Sequence, residues 1–324
     1  MNQEELKKRQ AWSLPKKIAE TEIRIVEWYL AFDGQVYISF SGGKDSTVLV
    51  DLVHGLFPDV PLLFNNTGLE YPEIIQFVRS FEDVIETRPS MPFHQIVKKY
   101  GYPIISKKVA RQIHDLQNPT PRNEATRNLY LTGIKQDGTL AKSNTTKLPQ
   151  KWRYLIDAPF KIHNICCDIL KKTPIKKYEK ETGRRAYIGT MASDSDTRET
   201  VYLKQGCNAF DKKQPSSQPL SFWTEQDIWG YINQKSLSYC SVYDMGIRRT
   251  GCMFCMFGIT HEQKHGTNRF LQMQQTHPKQ HKYCIEKLGC GYVLDYIGVP
   301  HTESNNGIEQ TPLSTQYKQM ELFN

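Results

Sequence analysis

Residues 41–46, Ser-Gly-Gly-Lys-Asp-Ser, combine two glycines, a cation and two hydroxyl groups. Consecutive glycines let the backbone turn tightly and direct its N–H groups at an anion. Lys44 adds a positive charge, and Ser41 and Ser46 add hydroxyl donors. The apolar residues 47–53 predict a helix whose positive end points at the same place. The segment therefore predicts a phosphate-binding loop, although it lacks the G-x-x-x-x-G-K pattern of a Walker loop.

Four of the eight cysteines form two tight groups, the adjacent pair Cys166 and Cys167 and the C-x-x-C pair Cys252 and Cys255. Four thiolates can hold one [4Fe–4S] cluster, each bound to its own iron. Structural zinc also takes four cysteines, but usually from two separated C-x₂₋₄-C pairs, which adjacent cysteines do not supply. The residues alone leave three interpretations of these cysteines open, an iron–sulfur cluster, a zinc site and simple packing. Cys290, between two glycines, is the other cysteine that we consider for chemistry.

The composition describes a folded chain with a modest positive charge. Its 324 residues are 39% hydrophobic and 23% charged, and 42 basic against 34 acidic residues give a net charge of +8. These values exclude an intrinsically disordered chain and favour a polyanionic ligand such as nucleic acid. No run of about 18 apolar residues predicts a membrane span, and the polar opening residues are unlike a secretory signal. We therefore expect a cytoplasmic protein with no membrane partner and with reduced cysteines.

The elements that would position these residues alternate between short apolar runs and helical patterns. Apolar, β-rich runs at 36–40, 61–65, 83–86 and 185–189 predict strands. Helical patterns follow at 47–53, 71–81, 93–100 and 174–182. This alternation predicts an α/β fold of three layers with a mostly parallel sheet, followed by an irregular, cysteine-bearing C-terminal region. The phosphate loop would then lie at the carboxyl end of the first strand, where such sheets bind ligands.

Composition and pattern divide the chain into four regions. An N-terminal helical segment covers 1–33, and the α/β domain that carries the phosphate loop covers 34–235. Within that domain, about 117–150 is polar and rich in turn residues, which predicts an excursion from the sheet. A helical region that bears the C-x-x-C pair covers 236–300, and a polar tail covers 301–324.

Six segments, in order along about 34–260, resemble the PP-loop ATP pyrophosphatase and PAPS reductase superfamily, in its iron–sulfur branch. They are SFSGGKDS at 39–46, NTGLEYPE at 66–73, GYPIISK at 101–107, CCDILKKTP at 166–174, YIGTMASDSDTR at 187–198 and YDMGIRRTGCMFC at 243–255. The resemblance implies an adenine-nucleotide α-hydrolase-like fold that binds an adenine nucleotide at residues 41–46, hereafter the PP-loop.

The resemblance also implies roles for individual residues. The catalytic candidates are Lys44, Asp45 and Arg198, and Asp45 could help to place Mg²⁺. The candidate nucleotide contacts are Ser39, Ser41, Gly42, Gly43, Lys44, Asp45, Ser46, Thr67, Gly68, Glu70, Lys107 and Gly189, and the candidate cluster ligands are Cys166, Cys167, Cys252 and Cys255. Glu70, at a helix start, and Lys107, on a basic helix, also have simpler structural explanations.

One departure from the superfamily pattern affects the substrate. Met191 and Asp194 stand where the superfamily has Arg and Glu. The anion contact expected from that Arg must therefore come from elsewhere, and Arg198 is the candidate.

Two reactions share this scaffold in the superfamily. In the first, the site binds ATP, adenylates an acceptor oxygen with release of pyrophosphate, and sulfur then displaces AMP. In the second, a cysteine thiolate attacks the sulfur of APS or PAPS to form a thiosulfonate intermediate, sulfite then leaves, and thioredoxin resets the cysteine. The reductases carry that cysteine in a C-terminal Cys-Gly-Leu/Ile-His segment, which residues 314–324, STQYKQMELFN, do not contain.

We therefore expect ATP-dependent sulfur transfer, with sulfonucleotide reduction as the first alternative and a non-catalytic, nucleotide-binding redox sensor as the second. The implied partners are an adenine nucleotide, a nucleic-acid or small acceptor, and a sulfur-donor protein such as a cysteine desulfurase. Thioredoxin replaces the sulfur donor in the reductase alternative, and a homodimer is compatible with the sequence.

Overall fold

The computed structural model describes residues 2–142 and 146–303 and divides the chain into two compact units, Met1–Gly258 and Ile259–Asn324. The C-x-x-C pair at 252–255 belongs to the first unit, so the sequence-based boundary at 235 lies inside that unit. Most of the polar tail expected at 301–324 lies outside the described residues. Across the two described ranges, no helix is both long and apolar enough to cross a membrane.

A six-stranded, mostly parallel sheet organises the first unit. The strands of the unit are β1 Val36–Ser39, β2 Leu62–Asn65, β3 Val84–Thr87, β4 Ile104–Ile105, β5 Arg185–Ile188, β6 Asn208–Ala209, β7 Ser216–Ser217 and β8 Met256–Phe257. The order in the large sheet is β3-β2-β1-β5-β7-β6, and only β6 and β7 pair antiparallel. β4 and β8 form a separate parallel pair. The predicted α/β fold with a mostly parallel sheet is confirmed.

Helices connect these strands in the order that the sequence pattern predicts. In the first unit they are α1 Gln3–Gln10, α2 Leu14–Ala31, α3 Lys44–His54, α4 Pro72–Val78, α5 Phe93–Tyr100, α6 Lys107–Gln117, α7 Glu124–Thr132, α8 Thr173–Thr182, α9 Asp196–Gln205 and α10 Glu225–Lys235. A π-helical turn, Asp168–Lys172, leads into α8, and a 3₁₀ segment covers Gln150–Asp157. The helical region expected at 1–33 is two helices, α1 and α2.

The central strands are apolar because both of their faces are buried. In β1, Val36, Tyr37 and Ile38 are all at most 1% exposed. Strands covered on both faces read as continuous apolar runs rather than as alternating ones. This burial is consistent with the position of β1 in the middle of the sheet. The PP-loop directly follows β1 and therefore lies at the carboxyl edge of the sheet.

A buried ion pair joins the N-terminal helices to α10. The Lys17 side chain is 1% exposed, and its ammonium lies 2.5 Å from Oδ2 of Asp227. The same carboxylate accepts hydrogen bonds from the backbone N–H and the hydroxyl of Thr224, which caps α10. Removal of one partner from a buried pair of this kind typically costs about 3–5 kcal/mol. The pair therefore stabilises the start of α10. Glu225, the first residue of that helix, lies beside Lys44 of the PP-loop.

The polar excursion at about 117–150 is folded onto α6. It contains α7, followed by an antiparallel bridge between Ile134 and Leu140. Gln112 of α6 donates its side-chain N–H to the carbonyl of Thr146, 2.8 Å away. The excursion therefore forms one layer with α6.

Gly101 lies against residues 161–163, the segment that follows the excursion. Its φ of +107° suits glycine, and a Cβ at this position would lie 2.2 Å from the carbonyl oxygen of Lys161. The close approach allows the backbone N–H of Tyr102 to donate to the same carbonyl, 2.8 Å away. This contact and hydrogen bond therefore hold residues 161–163 beside the GYPIISK segment.

The second unit is helical. Its helices are α11 Ile259–Lys264, α12 Arg269–Thr276, α13 Pro278–Lys282 and α14 Cys290–Tyr296, with a π-helical turn at Tyr283–Lys287. Cys284 and Cys290 are both 0% exposed, and burial raises the pKa of Cys284 well above its usual range. Cys290 is therefore a buried thiol rather than a surface nucleophile.

Candidate functional site

The PP-loop is stiffened by its own hydroxyl groups. The Ser46 hydroxyl donates to the carbonyl of Gly43 at 2.8 Å and lies 3.1 Å from the Ser41 hydroxyl. Ser46 also accepts the backbone N–H of Ser41 at 3.2 Å. Gly42 has a φ of +70°, and a Cβ there would come within 2.7 Å of Val78. The loop is thus a preformed turn at the N-terminus of α3, as an anion site requires.

Two residues from a distant part of the first unit cover the loop. The backbone N–H of Lys44 donates to the Tyr243 hydroxyl at 2.8 Å. A Cβ at Gly43 would lie 2.8 Å from the Thr250 hydroxyl oxygen and 3.2 Å from the Tyr243 hydroxyl. The Lys44 ammonium lies 5.4 Å from the centre of the Tyr243 ring. Tyr243 and Thr250 therefore stand where an anion held by this loop would approach.

Carboxylates surround the Lys44 ammonium. It lies 3.4 Å from both Oδ1 of Asp45 and Oε1 of Glu225, and its side chain is 6% exposed. Burial lowers the pKa of Lys44, but Asp45 and Glu225 outweigh that effect, so the pKa is raised overall and the side chain is cationic. Burial raises the pKa of Asp45, and the Lys44 charge only partly offsets it. Oδ1 of Asp45 is buried and accepts no hydrogen bond from the described residues.

The segment after β5 closes the other side of the loop. A Cβ at Gly189 would lie 3.0 Å from the carbonyl oxygen of Asp45, so the two backbones are in close contact. Arg198 forms an ion pair with Asp194, whose Oδ1 also lies 3.8 Å from Arg249. Arg198 is nearly half exposed. Asp194 therefore directs both guanidinium groups to the rim of the site.

The loop after β2 uses Glu70 as an internal acceptor. Its carboxylate accepts the Thr67 backbone N–H at 3.0 Å, the Thr67 hydroxyl at 2.7 Å and the Leu69 N–H at 3.2 Å. The Leu69 carbonyl in turn accepts the N–H of Met253 at 2.8 Å. Glu70 thus shapes the loop and ties it to the C-x-x-C segment. Gly68, with a φ of +76°, has open space where a Cβ would point.

One cavity adjoins both the PP-loop and the cysteine region. Its volume is about 150 Å³, and it opens at the carboxyl ends of β1 and β2. It is lined by Ser39, Phe40, Ser41, Phe64, Asn65, Glu70, Ile74, Lys171, Ile175, Thr250 and Gly251. A ligand in this cavity would contact the PP-loop at one end and Lys171 at the other.

The structure brings the two predicted cysteine groups together. Cys166, Cys167, Cys252 and Cys255, hereafter the cysteine group, interact electrostatically with one another. A hydrogen bond from Cys166 lowers the pKa of Cys167, and Lys107 and Lys171 lower it further. The same hydrogen bond, together with burial, raises the pKa of Cys166.

The remaining electrostatics favour anionic sulfur in this place. Burial raises the pKa of Cys252 to about 11, although Lys171 opposes the rise. The pKa of Lys171 is raised chiefly by Cys252 and also by Glu70. A partly buried cation that faces several thiols stabilises their thiolate forms, which are the forms that bind metals.

The donor set suits an iron–sulfur cluster chemically, but metal-binding geometry is not formed. Four cysteine thiolates are the ligands that a [4Fe–4S] cluster uses, and two lysines lie next to these thiols. Within 2–142 and 146–303, however, no group of three or more His, Cys, Asp or Glu side chains is close enough to hold a metal ion. The cluster therefore remains a proposal.

Two short elements hold Lys107 and Lys171 at the cysteines. β8, directly after Cys255, pairs with β4, and β4 leads into α6, which begins at Lys107. A hydrogen bond joins Lys107 to Cys167. Lys171 lies in the π-helical turn after Cys167, and that turn is tied to β2 because Asn65 donates to the Leu170 carbonyl at 2.9 Å.

Several residues that the structure places at the site had no predicted role. Tyr243 and Thr250 belong to the YDMGIRRTGCMFC segment, so their presence was visible but their contact with the PP-loop was not. Glu225, in the first turn of α10, is an ordinary acidic residue for a helix start. Lys171 follows the cysteine pair by four positions, within the CCDILKKTP segment, and no local pattern relates it to the distant Cys252.

A parallel α/β sheet that presents a glycine-rich anion loop at its carboxyl edge is the architecture of the PP-loop and PAPS reductase superfamily. The family model of the phosphoadenosine phosphosulfate reductase domain matches residues 35–127 and 123–257. These matches cover more than half of the chain, and the chain belongs to this domain family.

Similar proteins have been described in several organisms. The chain is 27% identical over 251 residues to adenosine 5'-phosphosulfate reductase of Pseudomonas aeruginosa, which covers 76% of this chain and 75% of that protein. It is 25% identical over 263 residues to an uncharacterized protein of Methanocaldococcus jannaschii, covering 80% of this chain. That match spans only 49% of the archaeal protein. A crystal structure of Candida auris PAPS reductase in a phosphate complex aligns with a TM-score of 0.42 and 14% identity, over 78% of this chain and 96% of that one.

Proposed function

We propose that this chain is an enzyme of sulfur metabolism that uses ATP to activate an acceptor and then transfers sulfur to it. The supporting observation is the cavity of about 150 Å³ that extends from the PP-loop to Lys171 and to Gly251, which directly precedes Cys252. Because Ser39 and Ser41 line one part of this cavity and Lys171 another, a nucleotide held by the loop would lie beside Lys171. Lys171 interacts electrostatically with Cys252 and Cys167.

The PP-loop suits departure of pyrophosphate. An acceptor oxygen would attack the α-phosphorus of ATP, the α–β phosphoanhydride bond would break, and pyrophosphate would leave. The N–H groups at the start of α3 and the cationic Lys44 would stabilise the charge that develops on the leaving group. A sulfur nucleophile would then bond to the activated acceptor, and AMP would leave with the oxygen.

The carboxylates near Lys44 offer a place for a metal ion. Oδ1 of Asp45 is buried with the Lys44 ammonium 3.4 Å away, and carboxylate oxygens are ligands that suit Mg²⁺. Asp45 would thus accompany the metal that is bound to the nucleotide phosphates. Arg198 and Arg249, held by Asp194 at the rim, are the cations available for a further anion contact.

The cysteine group would hold a [4Fe–4S] cluster, with Lys107 and Lys171 offsetting its negative charge. When bound, such a cluster would supply a place to hold sulfur or to exchange electrons next to the nucleotide. A sulfur-donor protein such as a cysteine desulfurase is the partner that this scheme requires.

The comparisons favour a second candidate, sulfonucleotide reduction. Relatives at 27% and 24% identity are named adenosine 5'-phosphosulfate reductases. In that reaction a cysteine thiolate would attack the sulfur of APS or PAPS, the S–O bond to the nucleotide would break, and the nucleotide would leave with that oxygen. A dithiol such as thioredoxin would then attack the cysteine sulfur, release sulfite and end as a disulfide. Cys290 does not suit this role because its thiol is 0% exposed.

The two candidates differ in their products. Anaerobically purified protein should release pyrophosphate from ATP in the presence of an acceptor and a sulfide source. Lys44→Met should lower the rate about 100-fold or more, since it removes the cation at the leaving group. Lys204→Met, at an exposed position on α9, is the matched control and should leave the rate unchanged. Thioredoxin-dependent sulfite from APS or PAPS, without pyrophosphate from ATP, would instead establish the reductase.

A further inference from the structure

The positive charge of this protein is concentrated in one sixth of its length. Residues 107–161 contain eleven Lys and Arg but four Asp and Glu, a net charge of +7, whereas the whole chain carries +8. The eleven side chains, hereafter the basic face, are those of Lys107, Lys108, Arg111, Arg122, Arg127, Lys135, Lys142, Lys147, Lys151, Arg153 and Lys161. Nine of them are exposed, and Arg127 and Arg153 are partly buried.

Some basic residues elsewhere in the first unit form ion pairs with carboxylates. Arg9, Arg24 and Arg88 each pair with a glutamate. Among the ion pairs of the described residues, none involves a member of the basic face. An excess of this kind costs electrostatic self-repulsion, which a polyanion would relieve.

The cations are grouped around α6 and the end of α7. Arg153 donates to the carbonyl of Leu131 at 2.5 Å, and the Lys147 side chain lies 4.0 Å from where a Cβ of Gly133 would be. Lys135 follows that glycine by two positions. Cations near a helix C-terminus stabilise the helix, but only within its last turn. That effect accounts for two or three of them but not for eleven.

The basic face begins at the cysteine group. Lys107 opens α6 and is hydrogen-bonded to Cys167. Lys108 and Arg111 follow on the same helix, which is about 16 Å long. A polyanion bound along the face would therefore be directed to the thiols.

Aromatic rings alternate with the cations where the chain returns from the excursion. The 3₁₀ segment contains Lys151, Trp152, Arg153 and Tyr154 in succession, and the Lys151 ammonium lies 5.1 Å from the centre of the Trp152 ring. Tyr154 is 42% exposed, and its ring lies 6.4 Å from that of Trp152. Rings next to lysines and arginines bind single strands, because bases stack on the rings while phosphates meet the cations.

We propose that the basic face binds single-stranded nucleic acid and that such a strand is the acceptor presented to the cysteine group. The role as acceptor rests on the proposed function, whereas binding does not. A membrane surface or an acidic protein would use the cations but would have no bases to stack on Trp152 and Tyr154.

The test measures binding without nucleotide, cofactor or turnover. The fluorescence anisotropy of a labelled 20-nucleotide RNA and of the same DNA sequence should rise with the full-length protein at 0.1 M salt. The matched duplex, heparin and poly-glutamate should compete less well than the unlabelled single strand. Whichever of RNA and DNA binds more tightly identifies the class of acceptor strand.

Two triple variants separate the basic face from net charge. In the first triple variant, three lysines of the basic face are changed to Glu: Lys135, Lys147 and Lys151. This variant should bind the strand about tenfold more weakly or worse. The slope of log affinity against log salt concentration should decrease by the amount expected for the loss of about two phosphate contacts. Lys180, Lys204 and Lys213 changed to Glu are the control, because those lysines are exposed and outside the face. Each triple variant lowers the net charge from +8 to +2, since every change removes two charges. Tyr154→Leu should weaken binding about fivefold or more through lost stacking.

The results separate this proposal from the proposed function. Circular dichroism first confirms that each variant is folded. No strand binding by the wild type, equal losses in both triple variants, or equal competition by heparin would overturn the basic face as a nucleic-acid site. Strand binding by a protein that releases no pyrophosphate from ATP would keep the surface and reject the adenylation chemistry. Pyrophosphate release without strand binding would do the reverse.

Discussion

At the scale of single residues, Tyr243 is the contact that most directly affects ligand binding. The anion loop offers the backbone N–H of Lys44, and in this structure the Tyr243 hydroxyl takes it at 2.8 Å. The hydroxyl also interacts with Thr250, two residues before Cys252. A phosphate that enters the loop must therefore displace Tyr243 or share the N–H with it.

We expect Tyr243→Phe to tighten the binding of pyrophosphate to the PP-loop. The variant keeps the ring and its packing against Trp229 but removes the competing acceptor. One hydrogen bond is worth about 0.5–1.5 kcal/mol net, which corresponds to a gain of up to about tenfold in affinity. Isothermal titration calorimetry with pyrophosphate measures the change.

Tyr239→Phe is the control for this experiment. Tyr239 belongs to the same aromatic group, but its hydroxyl donates to Asp244 at 3.0 Å rather than facing the loop. Its affinity for pyrophosphate should equal that of the wild type. Weaker binding by Tyr243→Phe would mean that the hydroxyl contacts the bound phosphate instead of competing with it.

At the scale of elements, α6 connects the basic face to the segment that carries the cysteine pair. His114 of α6 and His163 have ring centres 3.9 Å apart. Nδ1 of His163 accepts the N–H of Ile165 at 2.9 Å, one residue before Cys166. Burial, and then the neighbouring His114, lowers the pKa of His163 to about 4, although Asp168 opposes the shift. The contact therefore requires the neutral imidazole.

This contact should make stability depend on pH. The folded-state pKa of about 4 lies below the unfolded value of about 6.5, so the unfolded chain binds more protons between these two values. The free energy of unfolding should therefore be unaffected above about pH 7 and should fall as the pH drops towards 4. Because the ring is only half buried, we expect a contribution of about 1 kcal/mol at pH 5.

His163→Asn tests the effect, since Asn retains an acceptor but does not titrate. Urea unfolding at pH 7 and pH 5 should show a smaller loss of stability for this variant than for the wild type, by about 1 kcal/mol. His94→Asn, at an exposed position on α5, should behave like the wild type. An unchanged pH dependence in His163→Asn would show that the imidazole is not held neutral.

At the scale of the whole molecule, the fold gathers cysteines that are far apart in the chain. Cys166 and Cys167 follow the excursion, whereas Cys252 and Cys255 come after the last strand of the large sheet. The loop after β2 approaches from a third direction, with the Thr67 hydroxyl 4.0 Å from the Cys252 sulfur. Metal content therefore reports on the assembled fold of the first unit.

We expect anaerobically purified protein to contain iron and sulfide, and Cys252→Ser to lose most of both because one ligand is removed. Cys207→Ser is the matched control, since Cys207 is buried in the same unit but outside the cysteine group. Iron and sulfide analysis with the absorbance spectrum measures the effect. Zinc in place of iron, or equal losses in both variants, would contradict the proposed cluster.

The sequence alone was enough for features that depend on residues adjacent in the chain. The alternation of short apolar runs with helical patterns predicts the parallel sheet, because strands buried on both faces must be apolar throughout. The PP-loop is equally local, since two glycines between a strand and a helix define its backbone whatever surrounds it. Thr224 as the cap of α10 follows from the same kind of local signal, and the structure shows its hydrogen bond with Asp227.

Only the tertiary structure decided which distant groups meet at the loop. Lys44 and Tyr243 are 199 positions apart, and no periodicity along the chain relates two such residues. The same holds for Glu225 beside Lys44 and for Lys107 beside Cys167. Contacts of this kind arise from the order of strands in the sheet and from the paths of the connections, which are set by the packing of the whole unit. The sequence thus determined the chemistry that each segment offers, and the packing determined which of these chemistries act together.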